Sequence, residues 1–522
     1  MTFPRRSGIL LHVSSLPAAH GVGDLGDSAF EFIEFLAGSG QKIWQVLPLN
    51  PTGYGDSPYQ CFSAFAGNPL FIDLEALRKE GLLSASDLSH APNFPVEQVE
   101  YDRVTAFKEK LLHKAAAAFF AGTTETDRHD FDIFCEKRRE WLEDYALFMA
   151  SKKVHKDVAW VHWEAGIRQR DPDVLNKWRS ELSSELEYHR FTQFQFFRQW
   201  EKVRDRCRHH GISVMGDIPI YVAHDSADVW AHPELFRLDD RGQPTAVAGV
   251  PPDYFSATGQ LWGNPLYRWN ISAASGHRWW IDRCRASLEM FDLVRLDHFR
   301  GFEAFWEVPA TASTAAEGKW VKGPGAEFFR VLKTELKELP FIAENLGVIT
   351  PGVEALLKEF GFPGMSLLQF AFGNDPQGPS FRPHNYSREL VAYTGVHDND
   401  TTVGWWTSAG LEESTRTAED IRKERDFTRA YLGFQNRGFQ NLSSKNLGSK
   451  NEEINWIFIR TVLASVANTA MVPLQDVLGL GSEARMNLPG TVSGNWRWRY
   501  KADSLTKEVR ERLLALTHLY DR

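Results

Sequence analysis

The sequence predicts an α/β fold: a (β/α)8 TIM barrel interrupted by large, mainly helical insertions. Short apolar runs recur along the chain, helical patterns lie between several of them, and carboxylates stand where four of the runs end. Near-continuous apolar strands are typical of a parallel sheet buried on both faces. Their alternation with helices indicates βα units.

Eight apolar runs are the predicted barrel strands. Each is short and ends in polar or glycine-rich sequence, as expected where a buried strand leaves a sheet. Segments 326–339 and 352–361 have apolar residues at helical spacing and are predicted helices between successive strands. The eight runs are residues 8–15, 43–49, 212–222, 291–299, 340–347, 365–373, 389–398 and 469–478.

Uneven spacing of these runs predicts insertions within a single catalytic unit, residues 1–522. Residues 75–200, between the second and third strands, are charged and helical in pattern, and we expect a helical insertion there. Residues 226–290 carry Pro, Gly, Trp and Tyr with little periodicity, which predicts a loop-rich insertion, the part of the chain in which the family resemblance described below implies a lid. A further elaboration is expected after the seventh strand, at 405–455.

Composition and charge narrow the class of protein. A net charge of -9 disfavours a nucleic-acid partner, which normally needs a basic patch. The apolar stretch near the first residues is too short for a signal peptide, and no run approaches the roughly 18 apolar residues of a membrane span. Four scattered cysteines without a CxxC predict neither a zinc site nor a disulfide framework. We therefore expect a cytoplasmic protein without a membrane partner.

Aromatic residues are unusually frequent, with 18 Trp, 36 Phe and 13 Tyr. Many of them are needed for core packing. Tryptophan-rich loops also suit sugars, because a pyranose ring presents an apolar C–H face that stacks on an aromatic ring. The composition therefore favours a carbohydrate ligand.

Carboxylates follow four of the predicted strands, namely Asp217, Asp297, Glu344 and Asp398. The carboxyl ends of barrel strands converge on one face, where the active sites of such barrels are built. Carboxylates gathered there repel one another and shift each other's pKa, which is useful for acid–base chemistry. The sequence therefore predicts a catalytic site at this face.

The segment RLDHFRGF at 295–302 is the densest cluster. Alternate residues of a strand point the same way, so Arg295 can keep Asp297 ionised, as a nucleophile requires. Glu344 follows another apolar run, and a partly apolar pocket would raise its pKa so that it acts as an acid. His397 and Asp398 can bind sugar hydroxyls or a metal. Each feature also has a structural interpretation: a buried ion pair, a helix cap or exposed glutamate, and an Asx-rich turn.

Together these carboxylates match a retaining glycosidase. One carboxylate attacks the anomeric carbon, and a second, about 5–5.5 Å away, protonates the leaving oxygen and then deprotonates the acceptor. A third can hold sugar hydroxyls and favour the oxocarbenium-like transition state. The sequence therefore predicts a double displacement at a glycosidic bond.

Longer motifs connect these residues along nearly the whole chain. They are GILLHVSSLPAAHGVGDLG (8–26), WQVLPLNPTGYGDSPYQCFSAFAGNP (44–69), GDIPIYVAHDSADVW (216–230), GVPPDYFSATGQLWGNPLY (249–267), RLDHFRGF (295–302), AENLG (343–347), TGVHDNDT (394–401) and ARMNLPGTVSGNWRWR (484–499). In this order and spacing, they resemble the 4-α-glucanotransferases of glycoside hydrolase family 77, also called amylomaltases or disproportionating enzymes, in the α-amylase superfamily.

The resemblance implies roles for individual residues. Asp297 corresponds to the nucleophile, Glu344 to the general acid/base and Asp398 to the transition-state stabiliser. The family often has AEDLG where this chain has Asn345, a change beside the acid/base that leaves its carboxylate in place. Substrate contacts are implied at Tyr54, Ser57, Tyr59, Asp217, Tyr254, Phe255, Gln260, Trp262, Arg295, His298, His397 and Asn487.

Several of these contacts have a specific expected part. Tyr59 corresponds to the aromatic platform under the reacting glucose, and Tyr54 to a residue of a secondary glucan site. Tyr254 and Phe255 correspond to a lid over the acceptor side. Gln260 and Trp262 correspond to donor-side contacts. For the aromatic residues, plain packing is the alternative.

The resemblance also implies the reaction. A segment of an α-1,4-glucan would pass to the 4-hydroxyl of an acceptor, through a covalent glucosyl-enzyme. Maltooligosaccharides and other α-1,4-glucans are the expected substrates and glucose an acceptor, with no cofactor and no metal. An aromatic lid that excludes water would favour transfer over hydrolysis.

Three alternatives remain at the level of sequence. An amylase-like hydrolase would use the same carboxylates, and net release of reducing ends would identify it. A non-catalytic glucan-binding protein is disfavoured by the intact carboxylates. A barrel metallohydrolase would need a histidine cluster, although no HxH pair occurs and no histidine spacing matches a metal motif. Its candidate ligands are His12, His224, His298, His397 and Asp398.

Overall fold

The computed structural model describes residues 3–122, 124–252, 256, 258–409, 417–434 and 453–522. Its strands are β1 (Arg6–Leu10), β2 (Ile43–Gln45), β3 (Ser213–Ile218), β4 (Ala246–Val250), β5 (Gln260–Pro265), β6 (Leu293–Leu296), β7 (Ala304–Pro309), β8 (Lys319–Lys322), β9 (Phe341–Ala343), β10 (Gly364–Leu367), β11 (Leu390–Tyr393) and β12 (Thr469–Pro473). Eight of them pair in parallel in the order β10-β11-β12-β1-β2-β3-β6-β9.

Hydrogen bonds bring the two edge strands of this sheet together. The Ala343 N–H donates to the Pro363 carbonyl at 2.9 Å, and the Met365 N–H donates to Oδ1 of Asn345 at 2.7 Å. The sheet thus curls into a barrel between β9 and β10. The predicted (β/α)8 fold is confirmed, and each of the eight predicted apolar runs overlaps one barrel strand.

Helices fill the long connection between β2 and β3. After α1 (Asp27–Gly38), which follows β1, they are α2 (Leu74–Lys79), α3 (Ala85–Leu88), α4 (Tyr101–Gly122), α5 (Glu125–Lys137), α6 (Arg139–Val154), α7 (Ala165–Arg168), α8 (Pro172–Glu181) and α9 (Ser183–His209). Helix α9 runs past residue 200, and its Trp200 indole donates to the Met290 carbonyl just before β6. The last helix of the insertion therefore also covers the outside of the barrel.

Residues 226–290 contain more regular structure than the predicted loop-rich insertion. They form α10 (Ala227–Ala231), β4, β5, α11 (Trp269–Ala274) and α12 (Arg278–Met290). Strands β4 and β5 join β7 and β8 in an antiparallel sheet of order β5-β4-β7-β8. Glycines such as Gly249 and Gly263 interrupt the apolar alternation of these short strands, which hides their period in the sequence.

The remaining helices complete the outer layer. They are α13 (Gly325–Leu336), α14 (Pro351–Phe360), α15 (Thr402–Thr407), α16 (Ala418–Leu432), α17 (Ile454–Ala464), α18 (Leu474–Leu478) and α19 (Lys507–Leu519). The elaboration expected at 405–455 thus includes α16, while 410–416 and 435–452 lie outside the described residues. In the part of the chain that the structure describes, no helix is long and apolar enough to cross a membrane.

Candidate active site

Sheet register places the strand-end carboxylates at one end of the barrel. Asp217 of β3 pairs with Arg295 of β6, and Leu296 pairs with Ala343 of β9. The ladder continues beyond the strands, because the Asp297 N–H donates to the Ile218 carbonyl and the Glu344 N–H to the Leu296 carbonyl, both at 3.0 Å. The backbones of Asp297 and Glu344 are therefore fixed by the barrel itself.

The buried Arg295 guanidinium joins two of these carboxylates. One terminal nitrogen lies 2.5 Å from Oδ2 of Asp217, and the other lies 2.9 Å from Oδ1 of Asp297. Burial alone would lower the pKa of Arg295, but the two carboxylates raise it well above its usual value. A permanent positive charge therefore faces Asp297, as the sequence predicts for an ionised nucleophile.

Glu344 lies in a different environment. Its Oε2 accepts from the His298 N–H and its Oε1 from the Leu346 N–H, both at 2.8 Å. Burial raises the pKa of Glu344 to about 7; the Asp297 charge acts in the same direction, while Arg295 and the two N–H donors oppose it. His298 has a φ of 47°, in the left-handed region, so its backbone turns sharply beside this carboxyl group.

Asp217 is fully enclosed. The Tyr59 hydroxyl donates to its Oδ2 at 2.8 Å, and its Oδ1 is buried without a hydrogen-bond partner among the described residues. Burial raises the pKa of Asp217 to about 7, against the opposing effects of the Arg295 charge and the Tyr59 hydroxyl.

Asp398 follows β11 on the opposite side of the mouth and is half exposed. The Asn487 side-chain amide donates to its Oδ1 at 2.6 Å, and the Arg485 guanidinium donates to its carbonyl at 2.6 Å. Nε2 of His397 lies 3.5 Å from the same Oδ1. Burial lowers the pKa of His397, so its imidazole is neutral near pH 7.

Aromatic rings line the gap between the two sides. Tyr59 stacks on His397 with ring centroids 5.2 Å apart, and Trp496 packs against both rings at 5.7 and 5.8 Å. On the other side, Trp262 of β5 meets His298 edge-on at 4.8 Å. Its indole N–H donates to Oε1 of Gln260 at 3.1 Å. The structure thus brings predicted donor-side and platform residues to the carboxylates.

The other predicted contacts are placed less centrally. The Ser57 hydroxyl accepts from the Tyr59 N–H at 3.2 Å and so shapes the loop that carries this platform. Tyr54 is 72% exposed, on the outer part of the same loop. Tyr254 and Phe255 lie outside the described residues.

Sequence reasoning missed two residues of this site, Arg485 and Trp496. Both lie in the quoted segment ARMNLPGTVSGNWRWR, where only Asn487 was selected. Trp496 adopts a φ of 64°, which no local pattern indicates for a tryptophan. The dense aromatic and basic residues of that segment were the available signal.

The histidines of the metallohydrolase alternative are dispersed. Nε2 of His224 faces the Gly242 carbonyl at 2.8 Å in the second insertion, and His12 packs edge-on against Phe71. Among the described residues, no group of three or more His, Cys, Asp or Glu side chains could hold a metal ion.

Comparisons with known proteins agree with this geometry. The profile of glycoside hydrolase family 77, described as 4-alpha-glucanotransferase, matches residues 11–506. The 4-alpha-glucanotransferase of Synechocystis sp. is 50% identical over 99% of this chain and 98% of its own, and that of Thermus thermophilus is 48% identical over 100% of both. The structure of the amylomaltase from Streptococcus agalactiae in complex with acarbose superposes with a TM-score of 0.90 at 38% identity, covering 99% of each chain. The chain belongs to the 4-α-glucanotransferase family.

Proposed function

We propose that this chain transfers a segment of an α-1,4-glucan to the 4-hydroxyl of an acceptor glucose or glucan by a retaining double displacement. The observation that carries the proposal is the contrast between two neighbouring carboxyl groups. Asp297 faces the Arg295 cation, whereas buried Glu344 has a raised pKa. One charged and one protonated carboxyl group at a barrel mouth are what a retaining mechanism requires.

In the first half-reaction, Asp297 attacks the anomeric carbon and forms the glucosyl ester. Glu344 donates its proton to the glycosidic oxygen as the C–O bond breaks, and the shortened glucan leaves. Formation of the ester removes the negative charge of Asp297, one of the causes that raise the pKa of Glu344. Glu344, which has given up its proton, therefore stays ionised more readily and accepts the proton of the incoming 4-hydroxyl as that oxygen attacks the anomeric carbon of the ester.

The opposite side of the mouth supports the sugar in this proposal. Asp398 is held by Asn487 and is half exposed, so that it can accept hydroxyls of the reacting glucose. Neutral His397 can donate to the same sugar. Tyr59 provides the aromatic platform, and buried Asp217 holds Tyr59 and Arg295 in place. Charge developing on the ring is stabilised by the fixed carboxylates.

Transfer instead of hydrolysis depends on the acceptor side. Tyr254 and Phe255 belong to the connection between β4 and β5, and β5 reaches His298 through Trp262. A pair of aromatic residues in that connection can bind an acceptor sugar and exclude water from the covalent intermediate. Trp262 and Gln260, on β5 itself, bind the donor. Maltooligosaccharides are the substrate class, and no cofactor takes part.

We also place this activity in the cytoplasm. The described cysteines Cys61, Cys135, Cys207 and Cys284 are all free thiols. Unpaired thiols fit a reducing compartment. Maltooligosaccharides there would serve both as donors and as acceptors.

Incubation with maltotriose alone tests the reaction. We expect glucose and a ladder of longer maltooligosaccharides to form while the total of reducing ends stays constant, because each transfer breaks one glucosidic bond and makes another. A rise in reducing ends with only shorter products would identify an amylase-like hydrolase on the same carboxylates.

The substitution Glu344→Gln tests the mechanism. The substitution removes the acid/base but keeps the shape of the side chain. Turnover should therefore fall by about 100- to 10,000-fold, while maltooligosaccharide binding remains. The exposed Glu359→Gln is the matched control, since Glu359 contacts only surface Arg330 in the described structure. Wild-type turnover in the Glu344 variant would refute the mechanism.

A further inference from the structure

The carboxylate of Asp476 accepts hydrogen bonds from residues at both ends of the segment that carries Asp398. Oδ2 of Asp476 accepts from the Thr394 hydroxyl at 2.5 Å and from the Thr402 hydroxyl at 2.8 Å. Its Oδ1 accepts from the Thr402 N–H at 2.7 Å. All three residues are buried, and residues 395–401 form the connection between Thr394, after β11, and Thr402, the first residue of α15. We call residues 395–401 the Asp398 segment.

Asp476 is itself firmly held. It lies in the short helix α18, directly after barrel strand β12, which pairs with β11. Its carbonyl accepts from the Asn455 side-chain amide of α17 at 2.8 Å. The carboxylate therefore connects the end of β12 to both ends of the Asp398 segment and fixes the segment relative to the barrel.

Packing holds the Asp398 segment through buried Val396 and His397 but leaves a gap behind it. A small solvent-connected cavity of about 30 Å³ lies behind it. Among its lining residues are His12, Val396, Asp400, Asp476, Arg485 and Trp498. Hydrogen bonds therefore contribute to the position of the segment: the Gln369 side-chain amide, just after β10, donates to the Asp400 carbonyl at 2.9 Å, and Asp476 binds the two ends.

We propose that Asp476 is a positioning residue of the transfer reaction, which holds the two ends of the Asp398 segment so that the Asp398 carboxylate faces the sugar at the transition state. The inference rests on the role proposed above for Asp398. Arg485 and Asn487 contact Asp398 itself, whereas Asp476 acts through the segment's ends. Loss of these hydrogen bonds should let the Asp398 carboxylate move by about 1 Å or less, at the cost of transition-state stabilisation.

The first test uses single variants. In Asp476→Asn one carboxylate oxygen becomes an NH2 group, so the side chain can no longer accept both from the threonine hydroxyls and from the Thr402 N–H, and we expect kcat on maltotriose to fall by about 100-fold, the effect of a misplacement near 1 Å, with KM little changed. Thr402→Val should lower kcat in the same way, and Thr402→Ser, which keeps the hydroxyl, should restore it.

Thr517→Val is the control, because Thr517 is an equally buried, hydrogen-bonded threonine in α19. Lowered thermal midpoints with unchanged kcat in the Asp476 and Thr402 variants would overturn the proposal.

A double-mutant cycle with Asp398→Asn separates positioning from a general structural effect. Single-turnover rates with α-maltotriosyl fluoride would be measured for both single variants and the pair. If Asp476 acts through Asp398, its substitution should change the rate by no more than about twofold once Asp398 is Asn. Full multiplication of the two losses would overturn the inference. Wild-type activity of Asp398→Asn alone would instead refute the proposed role of Asp398. Thr402→Val can replace Asp476→Asn in this cycle should the latter fail to fold.

Discussion

Asp297 and Glu344 stand next to each other in the barrel register, yet their surroundings differ. Asp297 is paired with a guanidinium, which stabilises a negative charge. Glu344 is buried, and its hydrogen bonds come from two backbone N–H groups. Burial penalises the charged form of a carboxyl group more than these neutral donors favour it. The different environments therefore support the proposed roles of Asp297 as nucleophile and Glu344 as acid, although both side chains carry the same functional group.

This difference predicts the pH dependence of the first half-reaction. Glu344 has to be protonated to act as an acid, and its pKa is raised to about 7. We expect kcat/KM for maltotriose to be level below this value and to fall about tenfold per pH unit above it. The measurement is kcat/KM between pH 5 and pH 9.

A donor that needs no proton provides the control for this profile. The fluoride of α-maltotriosyl fluoride leaves without general-acid help, so its kcat/KM should lack the decline above neutral pH. An identical decline with both donors would assign the ionisation to another group, and Asp217, whose pKa is also raised, would be the next candidate.

At the scale of elements, helix α9 connects the insertion to the segment that follows the Tyr59 loop. The Gln193 side chain accepts from the Gly67 N–H at 2.7 Å and donates to the Gly67 carbonyl at 2.8 Å. Gln199 makes the same pair of bonds with Asp73, at 2.7 and 3.2 Å. The side chains of these two glutamines thus pair with backbone N–H and C=O groups of an irregular segment that has no neighbouring strand. Buried backbone polar groups require such partners.

Gln193→Leu should therefore be costly. It leaves a buried N–H and a buried carbonyl without partners, and we expect the free energy of unfolding to fall by about 2–4 kcal/mol. Gln195→Leu is the matched control on the same helix, because Gln195 is equally buried but its amide nitrogen has no partner among the described residues. Chemical denaturation of both variants would measure the difference; equal losses would contradict this account of α9.

Much of this arrangement could be predicted from the sequence, because parallel barrel strands are apolar runs and their carboxyl ends converge. That rule alone placed Asp297, Glu344 and Asp398 at one face. Asp476 also follows an apolar run, but its function depends on which hydroxyls meet it in space. The positive φ of Trp496 and the strands of the small antiparallel sheet were equally beyond local patterns, since tertiary contacts determine them.

At the scale of the whole molecule, the two ends of the barrel have separate tasks. The carboxyl ends of the strands carry the candidate active site. At the amino ends, Arg5 and Arg522 donate to carbonyls between residues 462 and 468, where α17 ends and β12 begins. The last carbonyls of a helix lack partners within it, and a cation also interacts favourably with the negative end of its dipole. In barrels, residues at one end of the strands typically carry the chemistry, and residues at the other end mainly contribute stability.

Arg522→Ala should consequently lower stability and leave catalysis unchanged. Arg522 donates to the carbonyls of Val462, Leu463 and Ala467 at 3.1, 2.9 and 2.8 Å, so we expect a loss of about 2 kcal/mol from bonds made by a charged donor. The thermal midpoint at a fixed scan rate and kcat on maltotriose are the measurements. Arg330→Ala, which removes an exposed ion pair, should change neither. A lower kcat in the Arg522 variant with an unchanged thermal midpoint would show that the two ends of the barrel are coupled, against the separation argued here.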